Sequence, residues 1–227
     1  MSDPLTLLEE EIIECHKCPR LVAWREEIAQ TKRKAYKDQD YWGKPVPGFG
    51  DHHAKILVVG LAPGAHGSNR TGRMFTGDAS GDILYRNLYR FGFANQPQSM
   101  QKGDGLSLTS VYISAVCRCV PPGNKPAPRE ISNCLPYLLR EMEFLEELKG
   151  LVALGRIAYD GIVQSFSKLG YFLPKNEFGH GKLIPIYESQ LWVLQSYHPS
   201  RQNTQTGRLT EKMFAYIWAK ARELTPM

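Results

Sequence analysis

Apolar residues fall along this chain in two rhythms. Short solid runs (Ala54 to Gly60, Ser110 to Val116, Leu151 to Leu154, Leu183 to Tyr187 and Leu191 to Tyr197) predict strands buried on both faces. Helical spacing fills the gaps. Ile83, Leu84, Leu88 and Phe91 mark a helix within Gly81 to Phe93. Pro128 suits a first helical turn, and Ile131, Leu135, Leu138, Met142 and Leu145 then recur at intervals of 4, 3, 4 and 3. Further helices are predicted from about Arg156 and over Leu209 to Leu224. The first thirty residues also read as helical, interrupted at Cys15-His16-Lys17-Cys18-Pro19. Residues 38 to 53 (DQDYWGKPVPGFGDHH) are rich in Gly, Pro and aromatics and predict loop. Strands alternating with helices imply a mainly parallel sheet covered on both faces, with ligands at the carboxyl ends of the strands. Three unusual loops lie there: 60 to 81, 117 to 128 and 198 to 208.

Composition narrows the class without changing it. A chain of 227 residues, 42% apolar and 22% charged, fits a single globular α/β domain over 1–227. No run approaches membrane-spanning length, and the opening MSDPLTLLEEEIIE is acidic, unlike a signal peptide; a cytosolic protein is expected. The net charge of +5 leans toward anionic partners. It is uneven: TKRKAYK (31 to 37) carries four bases, EMEFLEE (141 to 147) four acids. Either is a solvated face, or the first is a patch that attracts phosphates. Five cysteines in such a chain argue against a disulfide framework. Cys15 and Cys18 form C-x2-C, while Cys119 and Cys134 stand with fourteen residues between them, which suggests a metal or an iron–sulfur cluster.

The loop after the first strand, GLAPGAHGSNRTGRMFTGDASG (60 to 81), holds six glycines together with Phe75 and Asp78. Glycines permit main-chain amides to approach something flat or anionic. Yet neither the triphosphate loop nor the dinucleotide fingerprint is present, and there is no serine nucleophile elbow and no H-E-x-x-H site. The acid–base candidates are His198 at a strand end, Asp78 and His66. Phe75 is either a core anchor or a platform for a flat ring. Asn124 is either a turn residue or an amide that reads a base edge.

These three loops, read as GLAPGAHGSNRTGRMFTGDASG, RCVPPGNKPAP and HPSRQNTQTGRLT, together resemble the uracil-DNA glycosylase superfamily, in particular its family 5 (UDGb) branch. The resemblance runs from Cys15 to the last helix. It implies a three-layer αβα fold around a four-stranded, mainly parallel sheet. The activity implied is that of a monofunctional glycosylase, which extrudes a damaged base and hydrolyses its bond to deoxyribose. Substrates implied are uracil, hypoxanthine and other deaminated bases in double- or single-stranded DNA. It further implies a [4Fe-4S] cluster on Cys15, Cys18, Cys119 and Cys134, zinc being the rival, with Cys117 a spare thiol.

In this reading His198 meets charge developing on the base, Asn124 reads the base edge, and Phe75 stacks on it beside Leu61, Ala62 and Gly64. Ser68, Asn69, Arg70, Arg73 and Ser200 grip phosphates, and Arg201 wedges into the vacated stack. Other branches usually place Asp, Asn or Glu where Leu61 and Ala62 stand; neither can position water, which leaves Asp78 for that role or as a helix cap. The small Ala62 widens the pocket toward purines. A family 4-like, uracil-preferring enzyme and a non-catalytic Fe–S DNA-binding protein are the alternatives. A monomer associated with the nucleoid is the expected state.

Overall fold

A computed structural model describes residues 3–174, 178–186 and 189–226. The solid apolar runs do form the sheet. Its parallel centre is β2 (Ile56–Gly60), β3 (Val111–Ala115), β4 (Gly150–Leu154) and β6 (Trp192–Ser196). Two short strands, β1 (Phe49–Gly50) and β5 (Leu183–Pro185), add antiparallel edges, so the order is β1-β3-β2-β4-β6-β5. The sheet thus has six strands rather than four, although the parallel part has four. β1 falls in the segment read as loop: two residues have no periodicity of their own, and the strand exists through the pairing of Phe49 with Ile113. The last stretch of the strand predicted over Leu183 to Tyr187 includes Tyr187, which lies outside the described residues.

Register explains why the central strands are apolar throughout. Val58 pairs with Ile113 on one side and Val152 on the other, and Val152 pairs with Leu194. Ile56, Val58, Ile113 and Leu194 point into one core, with Leu84 and Leu88 of α4 (Ala79–Arg90) and Phe214 and Trp218 of α8 (Glu211–Leu224). Leu57, Val59, Leu151 and Val193 point into the other, with Leu135 and Leu138 of α5 (Pro128–Phe144) and Ile162 and Phe166 of α6 (Arg156–Lys168). Every second residue serves the opposite core. Each such side chain contributes roughly 1.5–3 kcal/mol on burial.

The N-terminal helices α1 (Pro4–Ile13) and α2 (Pro19–Thr31) are divided where the cysteine pair was expected to interrupt them. Two short helices, α3 (Ser68–Thr71) and α7 (Arg201–Gln205), lie inside the predicted loops. Beneath β3, Arg118 and Glu141 form a buried pair at 2.5 Å, with the Ser114 hydroxyl donating to the same carboxylate oxygen. One of the four acids of EMEFLEE is therefore internal. Among the described residues no helix is long and apolar enough to cross a membrane.

Candidate active site

The carboxyl ends of β2, β3 and β6 open onto a cleft of about 460 Å³. Leu61, Ala62, Gly64, Ser68, Phe75, Asp78, Asn124, His198, Ser200 and Arg201 all border it. Phe75 and the imidazole of His198 lie face to face across it, ring centres 5.9 Å apart and planes 27° from parallel. Phe75 is 9% exposed, so its edge reaches the cleft while its body packs in the core.

Phe75 holds an uncommon backbone conformation, φ +52°, and Asn124 another, φ +57°. A bulky residue in the left-handed region is strained, and the surrounding structure must over-determine it. Here Gly81 does so. A Cβ at that position would stand 1.6 Å from the Phe75 carbonyl oxygen. Gly67 works likewise for Asp78, because a Cβ there would lie 2.2 Å from its Oδ2. The glycines were expected to make room for a flat guest. They first make room for the protein's own Phe75 and Asp78.

Asp78 is the N-cap of α4: its Oδ1 accepts from the amides of Ser80 and Gly81, each at 3.0 Å. Its Oδ2 accepts no hydrogen bond from any described residue and faces Gly64 and Gly67. Capping and availability to solvent are therefore compatible on one carboxylate. Burial raises its pKa, and the two amide bonds pull the other way.

His198 follows β6 in a turn fixed through its backbone. The Gly155 amide donates to the Ser196 carbonyl at 2.8 Å, and Asn203 Nδ2 donates to the His198 carbonyl at 2.8 Å. Ser200 caps α7 by accepting from the Asn203 amide. The imidazole makes no hydrogen bond to any described residue. Burial lowers its pKa to about 4, so at neutral pH it is an uncharged ring with one N–H to donate. The exposed side-chain amide of Asn124, at the turn Pro122–Asn124, is also without a described partner.

Several polar residues expected on the rim are turned inward. Asn69 is fully buried; its Nδ2 donates to the Arg25 carbonyl and its amide to the Gly64 carbonyl. Arg73, 4% exposed, forms a two-pronged pair with Asp104 at 2.8 and 2.7 Å and also bonds Ser99 and Thr76. That guanidinium holds the Asp104 carboxyl well below the usual range, with three backbone amides assisting against the opposing effect of burial. Arg70 spends its guanidinium on the His66 and Gly77 carbonyls, Gln39 and the ring of Tyr36. These three are internal braces of the loop. Arg201 is exposed, and its guanidinium has no described partner.

Two residues that border the cleft were missed as individuals, Arg33 and Tyr36. The basic run TKRKAYK was the available signal, but nothing local showed that α2 would deliver it to the strand ends. Tyr41 joins this run to the glycine loop, its hydroxyl meeting the Arg33 amide at 3.3 Å and His66 Nδ1 at 3.1 Å.

The cysteines lie on the far side of the same loops. All five are free thiols. Arg25, 1% exposed, donates through one nitrogen to Cys119 Sγ and to the Cys15 carbonyl, both at 3.2 Å. Asn133 donates to Cys18 Sγ at 3.4 Å. Burial pushes the Cys119 thiol up to about 12; Arg25 opposes this, while the charges of Cys134 and Cys15 reinforce it. Arg20 clasps Glu130 at 2.8 and 2.7 Å and also reaches the Lys125 carbonyl, which ties α2 to the Asn124 turn. Among the described residues no three His, Cys, Asp or Glu side chains are arranged to hold a metal ion.

Comparison with known proteins identifies the family. Residues 47–222 match the uracil DNA glycosylase superfamily. The chain is 50% identical over 210 residues to the Type-5 uracil-DNA glycosylase of Thermus thermophilus, covering 92% of this chain and 93% of that one. It is 46% identical over 218 residues to the Type-5 enzyme of Mycobacterium leprae, covering 96% and 94%. A Type-4 uracil-DNA glycosylase of Sulfurisphaera tokodaii is 31% identical over 220 residues, covering 95% and 84%.

Proposed function

This chain belongs to the uracil-DNA glycosylase superfamily, and on that premise we propose that it excises uracil, hypoxanthine and related deaminated bases from DNA. The facing pair of Phe75 and an unpartnered, neutral His198 carries the reading. A base in a duplex must first be rotated out, and one in a mismatch is cheapest to extrude. Phe75 stacks on the extruded base and Asn124 meets its edge. The bond from base nitrogen to sugar carbon breaks with its electron pair leaving on the base. The His198 N–H hydrogen-bonds the charge that develops there; one preorganised donor of this kind supplies about 3–4 kcal/mol. Water then adds to the sugar carbon, and its proton passes toward the free Oδ2 of Asp78. The base departs as its anion and takes up a proton from solvent, so the products are the free base and an abasic site.

Ala62 is the proposed determinant of purine acceptance, since a methyl side chain leaves the pocket wide at that wall. Arg33 and Arg201, both bordering the cleft, are the cations available to meet phosphates. We assign Cys15, Cys18, Cys119 and Cys134 to a [4Fe-4S] cluster. The chemistry of the donor set supports it: four free thiols, with the buried Arg25 guanidinium on Cys119 and the Arg118 charge favouring the Cys134 thiolate, while Arg25 Nε, Arg118 Nε and Arg118 NH1 have no described partner and would attract an anionic group. When bound, the cluster supplies a structural tie rather than chemistry at the base.

Single-turnover cleavage of a U·G duplex followed by alkali tests the whole reading. Strand scission that requires His198 supports it; a duplex bound but left intact would identify a non-catalytic lesion binder. Repeating the assay with hypoxanthine, on wild type and Ala62→Asn, tests the breadth of substrates. A selective loss of hypoxanthine release is expected in the variant, and unchanged discrimination sinks the steric argument. A brown protein with stoichiometric iron and sulfide would support the cluster, and a colourless one with zinc would not.

A further inference from the structure

We infer that His180, which lies outside the cleft, is a positioning residue for His198; the inference rests on the catalytic reading of His198 given above. An imidazole with no hydrogen bond to any described residue is aimed by its backbone and by its stacking partner. What fixes residues 196–200 therefore fixes the donor. Gly155 holds the Ser196 carbonyl and Asn203 the His198 carbonyl. Between them, the amide of Tyr197 donates to Nδ1 of His180 at 3.2 Å.

The other nitrogen of that ring, Nε2, stands 3.1 Å from the Met213 carbonyl on α8. A backbone amide can only donate and a carbonyl can only accept, so the tautomer is dictated: Nδ1 bare, Nε2 carrying the proton. His180 is thus a strut between α8 and the first amide beyond β6. Its ring also lies against that of Tyr197, centres 5.2 Å apart. The segment that carries it runs along β6, with the Gly179 amide donating to Gln195 Oε1 and the Gly181 amide to the Gln195 carbonyl. A purely structural histidine in this place would need only to fill space. This one uses the single acceptor that a neutral imidazole possesses on the residue preceding His198.

The two ring nitrogens can be replaced separately. In His180→Asn the side-chain oxygen falls near the position of Nδ1 and keeps the Tyr197 contact. In His180→Gln the longer amide reaches the position of Nε2 and keeps Met213 instead. Each variant retains one of the two bonds, so a structural role predicts similar losses in both.

A positioning role predicts asymmetry. Single-turnover excision on a U·G duplex stays close to wild type for His180→Asn and falls about tenfold or more for His180→Gln, as a small misplacement of a catalytic group does. Affinity for a duplex carrying a non-cleavable 2′-fluorinated deoxyuridine should stay unchanged in both. His198→Ala serves as the control. If His198→Ala abolishes excision while His180→Gln retains the wild-type rate, this proposal fails and the catalytic reading stands. If His198→Ala is itself active, the catalytic reading fails first. Equal losses in the Asn and Gln variants overturn the positioning role in favour of simple packing.

Discussion

The glycine-rich loop and the turn after β6 face one another across the cleft and are built on opposite plans. The loop is largely committed: Arg70, Arg73, Thr76 and the Nδ2 of Asn69 spend their polar groups on carbonyls, Asp104, Ser99 and one another. The turn is bonded through its backbone and leaves its imidazole unspent. Shape is thus held by groups that are no longer available, and chemistry is left to groups that were never committed. Asp78 combines both plans in one residue, with Oδ1 engaged as a cap and Oδ2 open.

The most damaging change to the committed side should be Gly81→Ala. Its Cβ meets a backbone oxygen that no rotamer can move, so Phe75 must leave its conformation or α4 must shift. Excision should fall below detection together with a clear loss in thermal stability; a variant of wild-type Tm and activity would show that the loop is far more plastic than drawn. Next comes Arg73→Met, which leaves Asp104 without its guanidinium in a nearly closed site. A loss of about 3–5 kcal/mol in denaturant unfolding is expected, as for other broken buried pairs. The residual folded protein should keep its single-turnover rate.

On the uncommitted side the pattern inverts. His198→Gln should lower the single-turnover rate by about 10²–10³ without lowering Tm, and it should change how stability depends on pH. The folded-state pKa of about 4 lies below the ordinary 6.5. As pH falls from 6.5, the unfolded chain therefore takes up a proton that the folded chain refuses, and stability is lost until about pH 4, beneath which the penalty is constant. His198→Gln should flatten stability across that window, and an identical profile in both proteins would refute the buried neutral ring. The smallest effect belongs to the rim. Arg201→Ala should weaken duplex binding a few-fold and reduce the salt dependence of log Kd by about one unit of slope, as the loss of one phosphate contact does.

How much of this was legible beforehand follows the same division. His198 could be found because it stands just past an apolar run, and Phe75 and Asp78 because they are the aromatic and acidic residues of the glycine-rich loop that follows another. The inward turn of Asn69 and Arg73 could not. Their partners, Arg25 and Asp104, are distant in sequence, and a basic or amide residue in a glycine-rich loop looks the same whether it faces DNA or a buried carboxylate. Short elements hid for a related reason: β1, α3 and α7 are held by pairing and capping, and span too few residues for a period to show. Arg33 and Tyr36 were visible as charge but not as location. The cysteine spacing suggested a shared ligand, and the structure sets the buried Arg25 against Cys119.

The two outermost strands have a further bearing on how copies of this chain meet one another. β1 is only two residues long, and β5 is three residues ending in Pro185, which has no amide hydrogen to offer. Neither rim presents enough open ladder for another copy to zip onto. Extension of the sheet from one molecule into the next is therefore disfavoured at both edges, even at high local concentration.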